Sequence, residues 1–166
     1  MRVLGIDPGT VVIGYGVIDN DGGRTTLVDC GALSSSARLS IGERLSELYN
    51  QLSEIISRYR PDAVAVEQPF VAKNVNSALA IGKAQAIAIL AAANRGIPTH
   101  EYTPAQIKRQ VANYGTSSKE QVQKMVSLQL GLSEVPKPDD AADALATALC
   151  HLSEVHLNNL LAEERQ

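Results

Sequence analysis

The chain has 166 residues, 45% hydrophobic and 20% charged, with a formal net charge of −3. That length fits one domain with one substantial core, and the balance of residues excludes a disordered polyelectrolyte. The longest apolar run, residues 84–93, is interrupted by Gln85 and bounded by Lys83 and Asn94, short of the roughly 18–20 residues of a membrane span.

The first third reads as β-structure. Residues 3–7 form a short apolar strand ending in Asp7, too short for a secretory leader. Asp7-Pro8-Gly9-Thr10 is a turn, and residues 11–19 are β-branched and punctuated by glycine. Asp21-Gly22-Gly23 is a hairpin turn leading into a third strand over residues 25–33. Ser40 and Glu43 make a capping box, followed by apolar residues at helical spacing from Ile41 to Tyr59. Ala63-Val64-Ala65-Val66 is too short for a helix, reads as a buried strand, and also ends in a carboxylate, Glu67.

A second helix is expected over residues 77–95, closed by Gly96 and Pro98. It is apolar on nearly every face, so it must be buried on more than one side. In so small a domain the extra face suggests a subunit partner. Residues 98–102 read as a fifth strand, and Thr103-Pro104 as a helix start. Ser117 and Glu120 are expected to form another capping box, with Gly131 ending that helix. A last Ala-rich helix is expected over residues 139–152, and the polar tail 156–166 is expected to fray from a 1–155 domain. The order βββ-α-β-α-β-α-α predicts an α/β fold of the RNase H-like kind, a five-stranded mixed sheet flanked by helices.

Three carboxylate positions stand out against this frame. Asp7 and Glu67 each end an apolar strand; Asp140 and Asp143 share one face of the first turn of the last helix. If the first and fourth strands are neighbours, all four acids meet at one end of the sheet. Clustered carboxylates repel and raise each other's pKa, and a hard divalent cation such as Mg²⁺ relieves that repulsion. Two such ions roughly 3.5–4 Å apart can activate water and stabilise a leaving 3′-oxygen in phosphodiester hydrolysis. Asp-Pro-Gly is also an ordinary turn, Asp140 an ordinary helix cap, and Asp139 competes with Asp140 for its role. No G-x-S-x-G, H-E-x-x-H or P-loop offers a different chemistry.

The charge is unevenly spread. Between residues 68 and 138 lie eight basic residues, including all six lysines, against three acidic ones; that stretch carries +5 and the remainder −8. The asymmetry suggests a basic face beside an acidic site, although lysine-rich helix faces can also be plain solvated surface. Cys30 and Cys150 stand far apart and suit two reduced thiols in the cytoplasm; His100 and His151 suit structural positions and His156 a solvated one.

Gly5-Ile6-Asp7-Pro8-Gly9 with Gly14-Tyr15-Gly16, then Val66-Glu67-Gln68-Pro69-Phe70 with Ala72-Lys73-Asn74, then Asp140-Ala141-Ala142-Asp143-Ala144-Leu145-Ala146 resemble three successive motifs of the RuvC crossover-junction endodeoxyribonucleases. Gln106-Ile107-Lys108 and residues 119–123 add to the likeness, which runs from residue 1 to about 152. The resemblance implies a homodimer that nicks a four-way DNA junction symmetrically, using Mg²⁺ (two ions per subunit, with Mn²⁺ as substitute) and cooperating with the RuvA–RuvB branch-migration complex. It implies Asp7, Glu67, Asp140 and Asp143 as catalytic metal ligands. It places Lys108 and Lys119 near the scissile phosphate and DNA backbone, and Phe70 as an aromatic wedged against bases at the crossover. Lys73, Asn74, Lys83, Arg109 and Lys124 complete the expected DNA-binding set, and no membrane is involved. A sugar-kinase or actin-like ATPase fragment also begins with a strand and a phosphate-holding glycine hairpin, but needs a second domain. A non-catalytic junction-binding module, or a YqgF-like nuclease relative, is the other alternative; a dead module should lack one of the four acids.

Overall fold

The β2–β3 hairpin turns on two glycines, Gly22 and Gly23, whose φ angles of 57° and 87° only glycine adopts without strain. In the computed structural model, which describes residues 1–68, 75–112 and 115–163, that hairpin opens a five-stranded sheet. The strands are β1 (Arg2–Asp7), β2 (Val12–Asp21), β3 (Arg24–Ser34), β4 (Ala63–Glu67) and β5 (Thr99–Tyr102). Their spatial order is β3-β2-β1-β4-β5. The first three form an antiparallel meander, while β4 runs parallel to β1 and β5 parallel to β4. The sheet is therefore mixed, as the element order predicts.

Alternation along the strands divides the core between the two faces. On one face Leu4, Ile6, Val64 and Val66 pack with Leu48, Leu52, Ile55 and Ile56 of α1 (Ile41–Tyr59) and Ala88, Ala91 and Ala92 of α2 (Val75–Ala93). The capping box of α1 forms as expected, with Ser40 accepting from the Glu43 amide and Glu43 reaching back to the Ser40 amide. On the other face Val3, Ile18 and Ala65 pack with α3 (Pro104–Ala112), α4 (Lys119–Gln129) and α5 (Asp139–Glu163).

Four sequence expectations change. Three helices follow β5 rather than two, because the Thr103-Pro104 start and the second capping box begin separate helices. That box is Ser118 with Gln121, one residue after the predicted pair; Ser117 is buried instead. The last helix runs to Glu163, since no glycine or proline interrupts residues 153–163. At 19 residues and mean hydropathy 1.4, α2 is also long and apolar enough to cross a membrane; here one side of it packs into the core, with Ala84, Ala88, Ala91 and Ala92 fully buried. Its outer side leaves Val75, Leu79 and Leu90 at 62%, 61% and 51% exposure, an apolar face left uncovered among the described residues.

The two strand-borne acids lie beneath a single helix. A Cβ on Gly5 would overlap the Ala144 carbonyl, on Gly14 the Asp140 carbonyl, and on Gly16 the Leu145 side chain. Gly5 and Gly16 are register partners, as are Asp7 and Gly14. The three glycines thus strip side chains from one strip of β1 and β2, and α5 settles there through Ala144, Ala148 and the backbone of Asp140.

Candidate active site

Ile6 pairs with Val66, so Asp7 and Glu67 come next, side by side at the ends of parallel strands. By alternation both lie on the face that α5 covers. Because α5 starts directly over Gly14, its first turns reach the same edge. Asp7, Glu67 and Asp143 line one cavity of about 250 Å³ together with Pro104, Ile107, Lys108, Lys119, Val122 and Ala146. Asp140 is close enough for its charge to act on Asp7 and Asp143, but its side chain does not line the cavity. Three of the four expected acids are therefore gathered together and the fourth lies beside them.

Burial dominates the electrostatics. It pushes the Asp7 carboxyl up to about 7, with the charges of Asp143 and Asp140 adding to the rise and Lys119 opposing it. Glu67 is pushed up to about 8, again chiefly by burial and then by Asp7 and Asp143, with Lys119 and Lys108 opposing. Asp143 is also raised by burial, against the pull of its partner Lys119. These are groups held away from water next to like charges, an arrangement that structural acids avoid and functional sites use.

The donor set consists only of carboxylate oxygens, partly stripped of water, which fits a hard divalent cation such as Mg²⁺. Among the described residues, no three acids, cysteines or histidines are drawn to the spacing of a formed metal centre. The Lys119 ammonium sits at this edge, 2.8 Å from Asp143 Oδ2 and 3.7 Å from Asp139 Oδ2.

The other expected DNA contacts are dispersed. Lys108 and Lys119 line the cavity. Lys83 is exposed on α2 and Arg109 on α3. Lys124 borders a separate open hollow with Met125 and Leu128. Phe70, Lys73 and Asn74 fall in 69–74, outside the described residues. His151 is structural, as expected: its Nδ1 lies 2.7 Å from the Tyr102 hydroxyl, its ring lies against His100, and burial pushes it down to about 4. That bond ties β5 to α5 next to the acidic edge, since Tyr102 is the register partner of Glu67.

Sequence reasoning missed the glycine strip as the reason the acids meet. The signal was present as Gly5, Gly14 and Gly16 on one predicted face and alanines at helical spacing on α5. It also missed the Lys119–Asp143 ion pair, which depends on how α4 docks on α5.

Over residues 3–151 the sequence matches the family described as Crossover junction endodeoxyribonuclease RuvC. It is 54% identical over 163 residues to that enzyme of Dehalococcoides mccartyi, covering 98% of each chain. To that of Chloroflexus aggregans it is 56% identical over 151 residues, covering 91% of this chain and 92% of the relative. The fold matches the RuvC of T. thermophilus in complex with a Holliday junction substrate at a TM-score of 0.89 and 36% identity, over 95% of this chain and 96% of the other. The yeast mitochondrial Holliday junction resolvase Ydc2 shares the RNase H-like fold alone, at a TM-score of 0.63 and 16% identity, over 97% of this chain and 85% of the other.

Proposed function

The chain belongs to the RuvC family of crossover junction endodeoxyribonucleases, and from that premise we propose how its own residues resolve a four-way DNA junction by paired symmetric nicks. The work belongs to homologous recombination and DNA repair, in the cytoplasm. The observation that carries the reading is the convergence of Asp7, Glu67 and Asp143, from two strand ends and a helix, on one cavity that Lys108 and Lys119 also line.

Asp7, Glu67 and Asp143 would hold Mg²⁺, two ions per subunit, with Asp140 at the rim and Mn²⁺ an acceptable substitute. Bound there, the ions supply activation of water and stabilisation of the leaving 3′-oxygen. The chain's own contribution is positional and electrostatic. Burial keeps Asp7 and Glu67 poorly hydrated, so they favour a cation strongly. Lys108, on α3, offers its ammonium to the backbone phosphate at the cavity mouth. Pro104, Ile107, Val122 and Ala146 supply an apolar wall that limits water.

Selection of the junction falls to the segment after β4, where Phe70 stacks on bases that only a crossover exposes; Lys73 and Asn74 hold the adjoining backbone. Lys83, Arg109 and Lys124 add sequence-independent phosphate contacts. Two strands must be cut, so two such sites must act in a homodimer, and the uncovered α2 face carrying Leu79 and Leu90 is its expected contact. The RuvA–RuvB branch-migration complex supplies the junction. The test is incubation with a synthetic four-way junction and Mg²⁺, mapping nicks on every strand. Symmetric nicks on two strands of like polarity, absent with plain duplex, are expected. Nicks that survive Asp7→Asn, or equal cutting of duplex, would overturn the reading.

A further inference from the structure

Lys119 is the first residue of α4, set there by the Ser118 cap. Its ammonium is drawn to the acids of α5. It lies 2.8 Å from Asp143 Oδ2 and 3.7 Å from Asp139 Oδ2, and it lines the same cavity as Asp7 and Glu67. Lys108 lines that cavity too, but forms no ion pair among the described residues. The two lysines therefore stand differently toward the acids.

An ammonium is a point cation on a flexible four-carbon stem. On Asp143 it answers part of the cavity's negative charge. It cannot stay on that oxygen beside a divalent ion without repulsion between the two cations. Half of the Lys119 side chain is solvent-exposed, at 51%, so it has room to leave. We propose, resting on the metal-site reading above, that Lys119 is a built-in counter-ion of the cavity: it holds Asp143 until divalent metal is bound, and is then released to a DNA phosphate.

One consequence is coupling. If Lys119 must leave Asp143 for metal to bind, then a phosphate that captures Lys119 makes metal binding easier. By linkage, bound metal must strengthen the phosphate contact by the same factor. The acid cavity would then be fully loaded chiefly when DNA is in place, which guards against idle metal chemistry.

The test reads binding, not cleavage. Mn²⁺ affinity is measured by electron paramagnetic resonance, without DNA, for the wild type, Lys119→Met, Lys119→Gln, Lys108→Met and Asp143→Asn. Both Lys119 variants should bind Mn²⁺ about tenfold tighter, within the usual range for coupled sites; Lys108→Met should change it far less. Calorimetric Ca²⁺ titrations with and without a four-way junction then read the coupling. The tightening that DNA causes in the wild type should shrink in the Lys119 variants. Equal effects of the Lys119 and Lys108 variants, or undiminished tightening by DNA, overturn the counter-ion role. If Asp143→Asn weakens Mn²⁺ binding in that case, the metal site itself stands. If neither the wild type nor the Lys119 variants bind Mn²⁺ at all, the metal-site reading fails, and this inference with it.

Discussion

Asp7→Asn should make the metal-free protein more stable, although it destroys the site. Asp7 titrates near 3.8 when unperturbed and is pushed up to about 7 in the fold. Between those values the folded chain binds a proton that the unfolded chain releases. The stability this contributes is fully present below about pH 4, falls as pH rises, and is gone above about pH 7. At about 1.4 kcal/mol per pH unit, keeping Asp7 ionised at pH 8.5 costs about 4 kcal/mol if it is treated alone. Asp7, Glu67 and Asp143 titrate together, so their penalties do not add. Solvent screening in the open cavity leaves about 1–2 kcal/mol for a single neutral replacement. For a chain of this size that is a rise in Tm of about 2–8 °C. The assay is thermal unfolding of the wild type, Asp7→Asn and Glu67→Gln in a chelator, at pH 5 and pH 8.5. Both variants should gain at pH 8.5, with a smaller gain at pH 5, where the wild-type acids carry protons. Addition of Mg²⁺ at pH 8.5 should reverse the order by raising only the wild type. A variant that melts at or below the wild type at pH 8.5 would refute the burial argument, because the acids would then be well solvated or well paired.

Gly14→Ala should push α5 off β2, costing about 1–3 kcal/mol by overpacking and abolishing nicking while the protein stays folded; thermal melting and junction cleavage on one preparation check it. Leu90→Glu and Leu79→Glu place a charge on the uncovered α2 face, so they should leave the melting temperature of the protomer nearly unchanged and convert a sedimenting dimer to a monomer. Ile87→Glu, packed against the core, should instead unfold it. Phe70→Ala should keep duplex binding and its salt dependence, yet slow junction cleavage by orders of magnitude; loss of melting temperature, binding and cleavage together would make Phe70 a core residue.

Where a residue's role is local, the sequence shows it. Ser40 and Glu43 announce the start of α1 because capping is a contact between residues three apart. Asp7 and Glu67 announce themselves as carboxylates ending apolar strands, and parallel pairing of β1 and β4 then makes them neighbours. The second capping box went to Ser118 because Ser117 and Ser118 are equivalent as letters; burial of Ser117 in the packed structure decides between them. The separation of Asp140 from Asp143 was not legible either. At i,i+3 they share a helix face, but the cavity lies toward Asp143, and only the docking angle of α5 on the glycine strip settles that. The sequence makes Lys119 an expected DNA contact, and its pairing with Asp143 depends on the packing of α4 against α5.

The glycine strip and the acidic edge are two parts of one compromise. Larger residues at 5, 14 and 16 would bury more apolar surface, at about 0.8 kcal/mol for each added methylene. They would also lift α5, because Gly5 and Gly14 already face its backbone carbonyls at Ala144 and Asp140. A lift of about 1 Å is enough to spoil a site whose groups come from different elements. The fold therefore gives up side-chain volume where the helix must approach, and regains packing further along α5 through Leu145, Leu149 and Cys150. It also brings three carboxylates into a half-dry cavity where their repulsion works against folding. Both concessions lie at the same end of the sheet. A chain selected for stability alone would make neither of them, and a chain that must bring acids from β1, β4 and α5 to one cavity needs both.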